Sequence, residues 1–196
     1  GVFEIKAEYE NEGSRQLELM RLKDVTSFVG LPIIIKIGGV EAVTDIYEAL
    51  SLGVGGIIAP MSETAFSTSK FLDAIDTFIP EDNRKDIEFA INIETITAFE
   101  NIDKILELEK INFLKSITIG RVDFTASIGK DRSFTDSEQM LDVCKIIFTK
   151  VKNKNFKTAL GGAISLNSKN FINTLIDLNL LDKYETRKVV FHKDGL

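Results

Sequence analysis

The sequence predicts an α/β chain wound as a (β/α) barrel, and three observations carry that expectation. Short apolar or β-branched runs alternate with amphipathic stretches of helical length from one end to the other. Strands joined by helices of about ten or more residues run parallel within one sheet. No G-x-G-x-x-G turn and no G-x-x-x-x-G-K-[ST] loop follows any strand, so the glycine signatures of an open nucleotide-binding sheet are missing. Polar side chains also gather at the C-terminal ends of several strands, the face on which a barrel builds its active site. An open doubly wound sheet is the competing fold.

The strand-like runs lie at residues 2–9, 33–37, 56–59, 89–93, 116–119, 157–160 and 188–191. They are one short of a closed eight-stranded barrel. The expectation is a single barrel domain over 1–196 that is incomplete, or whose missing strand lies upstream of Gly1. The chain does not begin with Met and reads as a trimmed piece. In the first run Lys6 and Glu8 share a face by the period of two; Ile34, Lys36 and Gly38 do so in the second, and Asn92 and Glu94 in the fourth. Charge inside a sheet is costly unless it is paired or bound to something.

Between the strands, Leu17, Met20, Val25 and Phe28 mark a first helix, and Phe71, Leu72, Ile75 and Phe78 a later one. Thr97 with Glu100 reads as a capping box ahead of Phe99, Ile102 and Leu106. Thr135 with Glu138 reads as another, ahead of Met140, Val143, Cys144, Ile147 and Val151. Each apolar stripe is expected to pack on the core.

Composition narrows the classes of function. Hydrophobic residues at 44% and charged residues at 28% are those of a water-soluble globular chain. With a net charge of -6 and no basic stripe, nucleic acid is not an expected partner. No apolar run approaches the ~20 residues of a membrane span, and no leader pattern opens the sequence. The single cysteine, Cys144, falls on a helix's apolar face and is expected to be a buried thiol in a reducing cytoplasm.

Two carboxylates stand at strand ends. Glu94 ends an apolar strand in Ile91-Asn92-Ile93-Glu94-Thr95, and Asp123 follows another strand in Ile119-Gly120-Arg121-Val122-Asp123-Phe124. On neighbouring parallel strands such ends lie about 5 Å apart. Two carboxylates with water and substrate oxygens suit Mg2+ or Mn2+. The alternative is a pair of acids serving helix N-termini.

These segments resemble the citrate lyase / 2-keto-3-deoxy-acid aldolase (HpcH–HpaI) family. The likeness rests on Ile93-Glu94-Thr95, on Ile119-Gly120-Arg121-Val122-Asp123-Phe124 continuing to Ser127-Ile128-Gly129, and on Gly55-Gly56-Ile57-Ile58-Ala59-Pro60-Met61 with Glu63-Thr64. It covers most of the chain in the right order. It implies a TIM-like (β/α)8 barrel that binds pyruvate, oxaloacetate or a related 2-keto acid on Mg2+ or Mn2+. Such enzymes make or break a carbon–carbon bond through a metal-bound enolate. Carried over, Glu94 and Asp123 are the metal ligands; beside them, Lys6, Gly120, Pro60 and Met61 are candidates to bind the substrate, with backbone N–H groups in the loops after Ala59 and Ile119 placed to hold its carboxylate. Acyl-CoA substrates and a homo-oligomer are further implications.

Two departures bear on the reaction. Where the aldolases carry Glu and His in sequence, this chain reads Glu8-Tyr9-Glu10-Asn11, and Asn11 cannot take a proton at neutral pH. Where the family places Arg, this chain has Lys36, which supplies charge without a two-pronged donor set. Glu8 and Glu10 are therefore the candidate acid/base groups, with Lys36 neutralising enolate or carboxylate charge. Lys6 and Glu8 read equally as an ion pair. His192, the only histidine, lies near the last strand end, where it serves either catalysis or a structural hydrogen bond. Two other readings stay open: a Schiff-base aldolase using Lys36 or Lys6, with burial lowering the lysine pKa, and a non-catalytic barrel serving binding or assembly. Specificity is expected from the loops at 62–69, 129–133 and 162–168.

Overall fold

The computed structural model describes residues 1–195 and folds them into a closed barrel of eight strands ringed by helices. The strands are β1 (Val2–Glu8), β2 (Ile33–Lys36), β3 (Gly56–Ala59), β4 (Glu88–Ile93), β5 (Leu114–Gly120), β6 (Lys157–Gly161), β7 (Lys183–Glu185) and β8 (Val189–His192). The helices are α1 (Gln16–Phe28), α2 (Val43–Leu52), α3 (Ala65–Phe78), α4 (Glu81–Arg84), α5 (Ile96–Glu100), α6 (Ile102–Leu106), α7 (Arg121–Ser127), α8 (Glu138–Asn153) and α9 (Lys169–Asp177). Among the described residues no helix is long and apolar enough to cross a membrane.

The strand missing from the sequence reading is β7, and with it eight strands close into a barrel within the described residues. Lys-Tyr-Glu is too short and too charged to register as a strand pattern. Only Tyr184 faces the helices, stacked on Phe191 at 5.4 Å. The direction of the last strand is a second correction. β8 runs antiparallel to both β7 and β1, because only residues 186–188 separate it from β7 and no crossover helix fits in that length. Its C-terminal end therefore lies on the side of the barrel away from the C-terminal ends of β1–β7. His192 goes with it: it is opposite Lys183, half exposed, and pairs with Asp194 at 2.9 Å. That removes it from the barrel mouth.

The main apolar core lies between the outer face of the strands and the helices. Ile33, Ile35, Ile57, Phe89, Ile91, Ile93, Ile117, Ile119 and Leu160 point outward and meet Ile46, Phe71, Ile75, Ile105, Ile147 and Leu175. In α8 the burial of Met140, Cys144, Ile147 and Val151 follows the helical period, and Phe148 joins them. Burial pushes the Cys144 thiol up to about 12, so it remains protonated and unreactive.

Three local expectations fail. The cap of α8 is Ser137, whose hydroxyl accepts from the Met140 N–H, while Thr135 donates to the Arg132 carbonyl. The cap of α5 is Thr95, accepting from the Ala98 N–H, and Thr97 lies within the helix. In α1 the stripe of Leu17, Met20, Val25 and Phe28 faces outward, and Leu19 and Thr26 are the residues buried against the barrel. Periodicity locates an apolar face without saying what it meets.

The barrel interior is mostly polar and layered. On the floor, Lys183 pairs with Glu88 at 2.7 Å and Glu4 at 3.2 Å, and Ser116 donates to Glu88. Above it lies a belt of Ile34, Ile58, Ala90 and Val190. The mouth layer holds Lys6, Glu8, Lys36, Asn92, Glu94 and Glu185.

Candidate functional site

The mouth opens into a cavity of about 470 Å3, lined by those six residues together with Asn11, Gly120, Asp123, Arg132, Thr186 and Arg187, among others. Period-two alternation puts the strand-borne groups there. Each inward position on β1, β4 and β7 that lies above the belt is charged or carries an amide, which leaves the outward positions free for Ala7, Ile91 and Tyr184.

Lys6 and Glu185 form a buried pair at 2.5 Å, and Lys6 reaches Glu8 at 3.5 Å. Lys36 reaches the other oxygen of Glu8 at 3.1 Å, and the Asn11 amide donates to that oxygen. Burial works against charge on Lys6, but Glu185 and Glu8 outweigh it and hold the ammonium above its usual range. The lowered lysine pKa expected for a Schiff-base Lys6 is therefore reversed. Burial alone would raise Glu8; Lys6 and Lys36 overcome it and keep the carboxyl below the usual carboxylate value.

Glu94 is held differently. It is 3% exposed, and one oxygen accepts from the Met61 N–H at 2.9 Å while the other accepts from the Asn92 amide at 3.2 Å. Among the described residues neither Glu94 nor Asp123 enters an ion pair. Burial pushes the Glu94 carboxyl up, the Met61 N–H and Lys36 oppose this, and the nearby Asp123 charge adds to it. Asp123 sits exposed in the first turn of α7 and lines the same cavity. Beside Glu94, the Asn92 amide oxygen is buried with no hydrogen-bond partner among the described residues.

Gly120 makes room for this arrangement. A Cβ there would lie 2.6 Å from a Glu94 oxygen, so any side chain would displace the carboxylate. Gly161 does the same for Glu185, at 2.7 Å.

The remaining expected residues divide. Pro60 and Met61 are outside the lining; Met61 takes part through its backbone, turned into the left-handed region at φ 49° to aim its N–H at Glu94. Glu10 is exposed and lies against Gly38, away from the cavity. Of the three loops, 129–133 contributes Arg132 and 162–168 contributes Gly162, Ala163 and Ile164, whereas 62–69 contributes nothing.

Besides Glu185, the partner of Lys6, the sequence reading missed two arginines. Arg121 is fully buried and binds the carbonyls of Gly161, Gly162 and Thr135 and the Asp136 carboxylate, with Phe171 under its guanidinium at 4.8 Å. It ties the loop after β6 to the start of α7 and so fixes the wall that carries Asp123. Arg187, from the β7–β8 turn, pairs with Glu12 at the rim. Neither has a local signal, since every partner is distant in sequence.

The donor set suits a hard divalent cation: two carboxylates, Glu94 just beyond β4 and Asp123 in the first turn of the helix after β5, one buried and without an ion pair among the described residues, open to solvent for further oxygen ligands. Among the described residues there is no cluster of three or more His, Cys, Asp or Glu side chains that would complete a metal cage alone. Water and substrate oxygens would have to supply the rest.

Comparison with known structures places the fold. An HpcH/HpaI aldolase from Desulfitobacterium hafniense DCB-2 superposes with a TM-score of 0.71 at 15% identity, over 86% of this chain and 72% of that one. The citrate synthase SbnG gives 0.71 at 18% identity, over 86% and 72%. Macrophomate synthase gives 0.67 at 17% identity, over 88% and 66%. At such identities the likeness speaks for the fold alone. A search of curated protein sequences finds no match. The family model for HpcH/HpaI aldolase/citrate lyase matches residues 27–165, most of the chain and both carboxylate-bearing strand ends. The chain belongs to the HpcH/HpaI aldolase/citrate lyase family.

Proposed function

We propose that this barrel is a carbon–carbon lyase or synthase that acts on a small 2-keto acid with Mg2+ or Mn2+ held by Glu94 and Asp123. The observation that carries the reading is Glu94: a buried carboxylate, oriented by the Met61 N–H and the Asn92 amide, facing a cavity and entering no ion pair among the described residues. A divalent ion there supplies Lewis-acid polarisation of a keto oxygen.

The chain's own groups bind and orient. Lys36 and Lys6 bring two ammonium groups to the floor of the cavity, where they attract a carboxylate and stabilise negative charge that develops on a substrate oxygen. Glu8, held ionised by both, keeps Lys36 in place at 3.1 Å. Its low proton affinity makes it a weak base, and Glu10 lies outside the cavity, so neither candidate from the sequence gains support as the proton acceptor. Arg132 and Arg187 at the rim favour anionic substrates. A cavity of about 470 Å3 exceeds the needs of pyruvate or oxaloacetate and leaves room for a second small reactant or for the thioester end of an acyl-CoA whose remainder lies outside. The chain would act as one barrel domain in the cytoplasm.

Isothermal titration tests the core of this reading. Oxalate, a mimic of the enolate, should bind only in the presence of Mg2+ or Mn2+, and Glu94→Gln should abolish that dependence. Unchanged binding by the variant would remove the assignment. One observation favours a second reading, a barrel that binds keto acids without turning them over: the chain's only histidine is at the far end of the barrel. Metal-dependent oxalate binding without pyruvate release from any hydroxy-keto acid would select it.

A further inference from the structure

α1 presents an apolar face that the barrel does not use. Leu17, Met20, Val25 and Phe28 are 69%, 49%, 68% and 96% exposed. Arg21 and Asp24 are exposed within the same stripe. They are three residues apart on one helix, yet among the described residues they pair neither with each other nor with anything else. At about 100° per residue, Leu17, Arg21, Asp24 and Phe28 run along the middle of the stripe, with Met20 and Val25 on its flanks.

The order along the helix is symmetric about the point between Leu22 and Lys23. Leu17 lies as far from that point as Phe28, Met20 as Val25, and Arg21 as Asp24. Apolar therefore matches apolar, and cation matches anion. Two copies of such a helix, antiparallel about a two-fold axis at that point, bring these positions level with one another. A parallel neighbour would instead set Arg21 level with Arg21 of the partner subunit. We propose that α1 is a two-fold interface on which a second copy of this chain docks antiparallel. Leu17 then lies level with Phe28 of the partner subunit, and Arg21 reaches Asp24 of the partner subunit. The packed apolar residues supply the attraction, and the paired charges set direction and register. This contact is on the outer ring of the barrel and does not depend on the chemistry at the mouth.

Sedimentation of the whole chain tests it through a charge swap at exposed positions, with circular dichroism as the check on folding. The unaltered chain should sediment as a dimer or a multiple of one. Arg21→Asp sets acid against acid at the axis and Asp24→Arg sets base against base, so each alone should weaken association about tenfold or more. An equal mixture of the two variants should reassociate as mixed dimers, because each chain then supplies the charge that the other lacks. A chain that is monomeric throughout, an oligomer that neither single substitution weakens, or variants that fail to recombine when mixed would each overturn the proposal.

Discussion

The floor and the mouth of this barrel are both built from buried carboxylates and lysines, and they resolve their charge in opposite ways. On the floor, Lys183 serves both Glu88 and Glu4, and every partner is another side chain. Burial pushes Glu4 up, Lys183 pulls it down, and the Glu88 charge adds to the rise, so the surplus acid moves toward its neutral form. In the mouth, Lys6 and Lys36 are taken up by Glu185 and Glu8, and among the described residues Glu94 is left with two N–H donors and no ion pair. One layer closes on itself, while the other keeps an acceptor facing a cavity. The belt of Ile34, Ile58, Ala90 and Val190 keeps the two apart.

The severest way to break that contrast is to remove a lysine from each layer. Lys183→Met strands Glu4 and Glu88 away from water and should cost about 3–5 kcal/mol in urea unfolding. Lys6→Met should cost about 1–3 kcal/mol, because water enters the cavity beside the carboxylates it leaves. Equal losses would show that the mouth is as sealed as the floor.

Metal should act on one layer only. Mg2+ or Mn2+ at a hundredfold excess over its dissociation constant should stabilise the unaltered chain by about 2.7 kcal/mol. The increment should vanish in Glu94→Gln and survive in Lys183→Met, as read by thermal melts with and without chelator. Gly120→Ala drives a methyl group into the Glu94 carboxylate; it should cost about 1–3 kcal/mol and abolish the metal increment with it.

The smallest effect is a pair of opposite pH dependences in metal-free protein. Glu94 is raised above the usual 4.5, so its contribution to stability is present below that value and lost as pH rises through its own. Glu94→Gln should therefore be the more stable protein at neutral pH, with the advantage fading in acid. Glu8 is lowered from 4.5, so its contribution is present above that value and lost as pH falls through its own. Glu8→Gln should be the less stable at neutral pH, with the deficit closing in acid. Unfolding curves across that range check both signs.

Much of this architecture is local enough to read from the chain. Alternation at Lys6 and Glu8 and at Asn92 and Glu94 declares which side chains enter the barrel, and apolar runs give most of the strands. β7 escaped because its inward residues, Lys183 and Glu185, are charged and it is only three residues long. With it went the partner of Lys6 and the hairpin that turns β8 around, and so the true place of His192. The α1 stripe was visible, but a helical period does not say whether the barrel or solvent lies against it.

By itself, then, the sequence determined the alternating α/β order, the inward polar positions and the two carboxylates that follow β4 and β5, since each follows from residues within a few places of one another. The tertiary structure decided the pairing of Lys6 with Glu185, the fixing of the α7 wall by Arg121, the direction of β8 and the holding of Glu94 by N–H donors rather than by an ion pair. Those depend on which distant strands become neighbours and how much water reaches between them, and neither is written in the spacing of residues along one segment.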